Sequence, residues 1–178
     1  SLGAAVIVAY ATSLVRHIRA DFPDTDFVLM GRRRREHHYT TLFNAPNVEL
    51  RDDLFHPAML GYKLQPVIQR LNARKMESMI RDADVVHYTG DARPTATTRP
   101  FVQTVHDLFM LDSSLMGTGG GAMARVMKDT VVKRMFSAKT VIVPSAWVAD
   151  SIRTAFPDLR TPIEVTHLAC SDIFEPRP

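Results

Sequence analysis

Two short apolar runs that end abruptly in polar residues constrain the fold of this chain most. They are Phe101-Val-Gln-Thr-Val-His-Asp-Leu108 and Val141-Ile-Val-Pro-Ser145. A strand that is buried on both faces of a parallel sheet has a nearly continuous apolar sequence. In open α/β sheets, ligands bind in the crevice outside the carboxyl ends of such strands. The two runs therefore predict buried parallel strands that deliver His106, Asp107 and Ser145 to a ligand-binding edge.

The rest of the chain alternates between strand-like and helix-like segments. Helical spacing of apolar residues predicts helices over about 6–20, 56–82, 122–138 and 146–155. Pro66 should kink or split the second of these. The predicted strands are 26–30, 47–50, 84–89, 100–105, 140–143 and 162–168. This alternation predicts an α/β fold, namely a Rossmann-like, doubly wound and mainly parallel sheet with helices on both faces.

Composition argues against several classes of protein. The chain of 178 residues is 46% hydrophobic and 23% charged, which is typical of a globular protein. It has no apolar run of about 18 residues, so we expect no membrane span. Its apolar start, Ser1–Ala9, has no basic leader, so we expect no signal peptide. One cysteine, Cys170, excludes an intrachain disulfide and fits a reducing compartment. A net charge of +3 is too small to indicate nucleic-acid binding.

Seven segments, taken in order and spacing, carry a family resemblance. They are Tyr10–Ile18, Asp26–Gly31, Ala83–His87, Thr104–Leu108, Ala138–Ser145, Ile163–Leu168 and Asp172–Pro176. As a set they resemble the N-terminal, acceptor-side domain of group 1 glycosyltransferases, the retaining class with the GT-B fold. The set covers almost the whole chain, although no single motif in it is decisive.

The resemblance implies two Rossmann-like domains that face each other across a cleft. The N-terminal domain, here 1–173, would bind a saccharide or lipid-linked acceptor, and 174–178 would begin the interdomain linker. The domain that binds the nucleotide-sugar donor would then lie outside this chain, and residues 1–178 would be inactive alone. The family also implies that no metal and no cofactor are needed, because the nucleotide sugar is a co-substrate. We accordingly expect a cytoplasmic protein, or one that is peripheral at the inner face of the membrane.

The N-terminal segment departs from the family pattern. Members usually begin with a strand and a glycine-rich turn, whereas Gly3 is the one glycine in Gly3-Ala-Ala-Val-Ile-Val-Ala9. Such a turn needs glycine so that the backbone can approach a phosphate closely. Either the first strand and loop have been replaced, or the segment is built differently.

His106 and Asp107 are the candidate catalytic residues. In the family that this chain resembles, a histidine after this strand belongs to the active site, where it would bind the donor sugar or stabilise developing charge. Imidazole suits that role because its protonation is nearly balanced at neutral pH. Asp107 could orient the ring, although adjacent strand residues face opposite sides, which favours a loop or helix cap. The structural alternative for His106 is a ring hydrogen-bonded to backbone at the strand end.

His87, Tyr88, Thr89 and Ser145 are candidate acceptor-binding residues. The first three end a predicted strand, and Tyr88 could stack on a sugar ring; strand-end packing is the alternative. Ser145 could contact a ligand at a helix N-terminus, or it could be a plain N-cap. Trp147, just beyond it, is interpreted as an interface or core anchor rather than a sugar platform.

Arg32 begins the basic run Arg32–Arg35, which follows a predicted strand. The run could hold an anionic acceptor or touch an anionic membrane surface. A solvated loop is the alternative, and the missing aromatic interleaving argues against nucleic acid.

Three other functions compete with the transferase. A nicotinamide-binding Rossmann enzyme is disfavoured because no Gly-x-Gly-x-x-Gly follows a first strand. A metal-dependent phosphohydrolase would carry its His-Asp pair on a helix with further ligands, and no metal-ligand spacing occurs here. A non-catalytic ligand-binding or regulatory α/β module remains open.

Overall fold

The computed structural model describes residues 2–30, 46–51, 65–90, 97–108 and 122–168. The helices are α1 (Leu2–Asp21), α2 (Gln65–Met79), α3 (Ala122–Ser137) and α4 (Ala146–Ala155). The strands are β1 (Phe27–Met30), β2 (Val48–Arg51), β3 (Val86–Tyr88), β4 (Phe101–Thr104), β5 (Thr140–Val143) and β6 (Ile163–Val165).

The six strands form two sheets within the described residues. Parallel β1 and β2 make a two-stranded sheet with Phe27 opposite Val48, and the other strands make a four-stranded sheet in the order β3-β4-β5-β6. Strand β5 pairs in parallel with both of its neighbours. The prediction of an α/β fold with parallel strands is confirmed, whereas the strands lie in two sheets instead of the single sheet expected.

The chain divides into two compact units: Ser1–Thr89 with Arg93–Pro100, and Gly90–Ala92 with Phe101–Pro178. Within the first unit, β3 contacts a helix on each of its faces. His87 lies against Tyr10 of α1 with ring centroids 6.4 Å apart, and the Tyr88 hydroxyl donates to Met76 Sδ of α2 at 3.7 Å. Adjacent residues of a strand point to opposite faces, so α1 and α2 lie on opposite sides of β3.

Asn47 ties the end of α1 to the start of β2 in the first unit. Its Oδ1 accepts a hydrogen bond from Arg19 Nε at 3.0 Å, and its Nδ2 donates to Thr25 O at 2.7 Å. Its own carbonyl accepts from Phe27 N at 2.8 Å, which starts the β1-β2 pairing. One amide side chain thus fixes the turn between α1 and β1.

The second unit is built around one buried apolar cluster. Val105, which follows β4, and the inward-facing valines of β5 meet one face of α4 and the last turn of α3. Each buried valine contributes roughly 1.5–3 kcal/mol. The cluster comprises Val105, Met135, Val141, Val143, Val148, Ala149 and Ile152. It holds α3 and α4 against the sheet and thereby fixes where the carboxyl ends of the strands open.

The N-terminal segment is helical from Leu2, and the alternatives given for its departure from the glycine-rich pattern stay open. Ala4, Ala5 and Ala9 are strong helix formers, and extending an existing helix carries no nucleation cost. The described part of the second predicted helix starts at Gln65, which places Pro66 in its first turn, where proline is tolerated. Residues 56–64 lie outside the described residues.

Candidate functional site at the carboxyl ends of β4, β5 and β6

The carboxyl ends of β4, β5 and β6 lie at one edge of the sheet in the second unit. Thr104 is opposite Ile142, and Val143 is opposite Val165. The last bonds of the two ladders run from Val105 N to Ile142 O at 2.9 Å and from Thr166 N to Val143 O at 2.8 Å. Residues that follow these strands therefore emerge side by side, as expected for a ligand-binding edge.

Ser145 links β5 to α4. Its backbone is extended, with φ −156° and ψ 159°, and its Oγ accepts a hydrogen bond from Val148 N at 3.3 Å. These are the features of a helix N-cap, so the capping prediction is confirmed. Because the Ser145 hydroxyl oxygen acts as the acceptor in this bond, the hydroxyl hydrogen can still be donated to a ligand.

His106 and Asp107 follow β4 at the same edge. His106 is half-buried and Asp107 is exposed. Since Val105 points into the buried cluster, strand alternation places His106 on the opposite face of β4 from that cluster. His106 and Asp107 thus follow β4 at the edge of the sheet where Ser145 follows β5, and their catalytic roles stay predictions.

Trp147 lies in the first turn of α4 and is 71% exposed. Of the two interpretations given for this residue, the core anchor is therefore wrong, and the interface anchor stays a prediction. The apolar face of α4 is formed by Val148, Ala149 and Ile152, which leaves position 147 on the solvent side of the helix.

The other predicted acceptor-binding residues lie in the first unit. His87 is half-buried with its ring edge-on to Tyr10 at an interplanar angle of 84°. Tyr88 is buried, and its hydroxyl is bonded to Met76 Sδ. Thr89 follows β3 and is half-buried. Strand-end packing, the alternative to ligand binding, therefore describes the Tyr88 side chain. Ligand contact by His87, Tyr88 or Thr89 stays a prediction.

Arg32 and the rest of the basic run lie outside the described residues, as do Cys170 and the expected linker 174–178. Their predicted roles therefore remain predictions.

Glu77 of α2 is a half-buried carboxylate in the first unit whose pKa is lowered by its neighbours. It accepts hydrogen bonds from Thr98 N at 2.5 Å and from the Thr98 hydroxyl at 3.0 Å. Burial by itself would raise the pKa of Glu77, but these bonds, a bond from Thr97 and the charge of Arg99 together lower that pKa. The carboxylate thus anchors the segment that precedes β4.

Arg51 at the end of β2 joins a carboxylate to a helix terminus. Its Nε and Nη2 donate to Glu49 at 2.8 and 2.6 Å, and its Nη1 donates to Met79 O, the last carbonyl of α2. The hydrogen bond with Arg51 is the main cause that lowers the pKa of Glu49. A cation at a helix C-terminus is also favoured by the helix dipole.

The described segments contain neither a candidate metal centre nor a candidate membrane span. No group of three or more His, Cys, Asp or Glu residues in them is arranged to hold a metal ion. No helix in them is long and apolar enough to cross a bilayer.

The sequence did not point to His167 as a site residue. The predicted strand 162–168 would have placed it inside the sheet, whereas β6 ends at Val165 and His167 follows it, exposed. The signal that could have found it is the change from Ile163-Glu-Val165 to the polar pair Thr166-His167.

Comparison of the chain with protein-family models, with curated proteins and with solved structures gives no significant match. A functional assignment therefore rests on the residues and geometry described above.

Proposed function

We propose that this chain is the acceptor-side, Rossmann-like half of a retaining glycosyltransferase with the GT-B fold. The protein would transfer a sugar from a nucleotide-sugar donor to a saccharide or lipid-linked acceptor. The observation that best supports this proposal is the common edge where β4, β5 and β6 end, followed by His106, Asp107, Ser145 and His167. Ligands of open α/β sheets bind at such an edge.

His106 is the proposed catalytic group of this half. Its half-buried imidazole would donate a hydrogen bond to the donor sugar or stabilise the charge that develops as the bond to phosphate breaks. Asp107 and Ser145, which follow adjacent parallel strands, would hold substrate hydroxyls. Most stabilisation of the departing nucleotide would come from the donor-binding domain, which we expect outside residues 1–178, and closure of the two domains would complete the site.

The remaining parts of the proposal concern partners and location. His87, Thr89 and Arg32 would serve the acceptor, and the basic run that Arg32 begins would favour an anionic head group or an anionic membrane surface. Such an enzyme would work in the cytoplasm or at the inner face of the membrane. The chemistry would need no metal ion.

Nucleotide release by the full-length protein that carries this chain tests the proposal. The protein is incubated with UDP- and GDP-sugars and a panel of saccharide acceptors, and the anomeric configuration of each product is read by NMR. We expect release with one donor and retention at the anomeric carbon. Inversion would contradict the retaining assignment. A folded protein that releases no nucleotide, and whose Tm rises with NADH, would instead indicate a nicotinamide-dependent enzyme.

A further inference from the structure

Strand β1 has the sequence of a strand with a neighbour on each side. Phe27-Val-Leu-Met30 is a continuous apolar run, which is typical of strands inside a parallel sheet. Strand β2, Val48-Glu-Leu-Arg51, alternates apolar and charged residues, which is typical of an edge strand. Within the described residues β1 pairs with β2 alone, and all four of its side chains are half-buried. The sequence of β1 therefore predicts a second partner strand on the side away from β2.

Helix α1 reaches from β3 to the start of β2 in the first unit. Tyr10 lies against His87 of β3, and Arg19 Nε in the last turn donates to the side chain of Asn47, the residue before β2. A helix that covers a parallel sheet is usually the crossover between two parallel strands. Because α1 leads into β1, its position predicts a strand that feeds α1 and pairs with β1.

Helix α2 reaches between β2 and β3 on the opposite side of β3 from α1. Its Met76 Sδ accepts from the Tyr88 hydroxyl of β3, and its Met79 carbonyl accepts from Arg51 of β2. A helix is about 10 Å wide and strands lie about 4.8 Å apart, so one helix with long side chains can span several strands. The contacts of α2 thus agree with an order in which β1 and one further strand lie between β2 and β3.

The handedness of parallel crossovers indicates where the further strand lies. These crossovers are right-handed in nearly all proteins, so helices on opposite faces of a sheet connect strands that follow in opposite directions across it. Helices α1 and α2 lie on opposite sides of β3. The step through α1 into β1 therefore runs opposite to the step through α2 from β2 to β3. The strand that feeds α1 must then lie on the β3 side of β1.

Segment length decides which part of the polypeptide can supply this strand. A parallel crossover takes about a dozen residues or more. A parallel strand of four residues within 31–47 would need a crossover on each side, or about 28 residues, and one within 52–64 would need about 16. Both connections are shorter than these lengths. The strand therefore comes from the part of the polypeptide ahead of α1.

We propose that β1 and β3 flank a slot for one more parallel strand, which the residues of the full-length polypeptide ahead of α1 supply. The first unit then has the order β2-β1-added strand-β3, with α1 and α2 on opposite faces of the added strand. The direction of winding reverses at this strand, and doubly wound sheets bind ligands at the carboxyl ends of strands where it reverses. The added strand thus completes a ligand-binding edge in the first unit, whichever reaction the protein catalyses.

Amide hydrogen exchange of the full-length protein, measured by NMR, tests the proposal at single residues. Successive N–H groups of a parallel strand point to opposite sides, and Phe27 N donates toward β2. The N–H groups of Val28 and Met30 therefore point into the slot. We expect the Val28 amide to exchange within about tenfold of the rate of Leu29, which faces β2. Exchange of Val28 about 100-fold faster than Leu29 would show that β1 is an edge strand and would overturn the proposal.

Nuclear Overhauser effects from Val28 identify the neighbouring strand in the same sample. We expect backbone contacts with residues that precede α1, in parallel register. Contacts with residues of 31–47 or 52–64 instead would overturn the assignment of the occupant. Neither measurement depends on nucleotide release, so a protein that fails as a transferase can still support the added strand, and an active transferase can still refute it.

Proline substitution tests the slot independently of exchange rates. Proline has no N–H and is tolerated in an edge strand where that group faces away from the sheet. Val165→Pro in β6, the last strand of the described sheet, is the matched control, because Thr166 N donates to β5 and the Val165 N–H points away from it. Val28→Pro should lower the Tm of the full-length protein by about 5 °C more than Val165→Pro does. Equal losses of Tm would mean that no strand pairs with β1 in the slot.

Discussion

The Val148 N–H donates a 3.3 Å hydrogen bond to Ser145 Oγ across the first turn of α4. The residue that follows β5 is therefore also the residue that begins the next helix. This bond stabilises the start of α4 directly after the edge where β5 ends.

Removing this cap should weaken the second unit. Ser145→Ala is expected to lower the free energy of unfolding by about 1 kcal/mol. Ser145→Thr should stay close to the wild-type stability because threonine is also a good N-cap residue. Urea unfolding followed by circular dichroism gives both values. Equal stability of the wild type and the alanine variant would show that the bond contributes nothing to α4.

Stability should depend on pH through Glu77. The folded-state pKa of Glu77 is lowered below 4.5, its usual value, so the unfolded state binds the proton more readily than the folded state. The contribution of Glu77 is therefore present above pH 4.5 and is lost as the pH falls through the lower, folded-state pKa. The free energy of unfolding of wild type should fall more steeply over that interval than that of Glu77→Gln.

Glu164→Gln provides the control for the acid titration. Glu164 is an exposed carboxylate on β6. Glu164→Gln should therefore show the same dependence of unfolding free energy on pH as the wild type. If the unfolding free energy of Glu77→Gln fell with pH as steeply as that of the wild type, the role given to the bonds from Thr98 would be contradicted.

The forked contacts of Arg51 should be specific to arginine. Lysine cannot donate to two Glu49 oxygens and to Met79 O in the same planar arrangement, so Arg51→Lys should cost about 1 kcal/mol of unfolding free energy. Arg81→Lys is the matched control, because Arg81 and Asp82 form an exposed pair at 3.3 Å, and its effect should be below about 0.5 kcal/mol. Chemical denaturation gives both unfolding free energies. Equal losses for Arg51→Lys and Arg81→Lys would show that the geometry of the Arg51 fork is unimportant.

Gln103 of β4 is a polar residue at a fully buried position. Its Nε2 donates to Thr104 O at 2.7 Å, while its Oε1 accepts no hydrogen bond from the described residues. A buried acceptor without a donor costs about 1–3 kcal/mol, so Gln103→Met, which has a similar length, should raise the Tm. A lower Tm for this variant in calorimetry would mean that a donor reaches Oε1 in solution.

The second unit was predicted closely from sequence. Helix 122–138, strand 140–143 and helix 146–155 agree with α3, β5 and α4 to within one residue. These segments carry strong local signals, namely an apolar run, a capping serine and an apolar helical stripe. The stripe predicts which side of α4 is buried because Val148, Ala149 and Ile152 recur at helical spacing.

Long-range pairing decided what the sequence did not predict. The placement of Tyr88 against Met76 depends on where α2 packs, which no local pattern specifies. His167 was placed inside a strand because the predicted strand was carried past the polar pair Thr166-His167 to Leu168, whereas pairing with β5 ends β6 at Val165. Strand register is set by such contacts between distant segments and not by the residues of one segment.

Nucleotide release by wild type and by His106→Ala is the most direct test of the transferase account. The full-length protein is assayed with its preferred donor, and His17→Ala, which removes an imidazole bonded to Ser13 O within α1, is the control. The account predicts that His106→Ala lowers kcat by about 100-fold or more, while His17→Ala keeps the wild-type rate. Equal rates in all three proteins would return His106 to a structural role, and no release from any UDP- or GDP-sugar by the folded wild type would contradict the account itself.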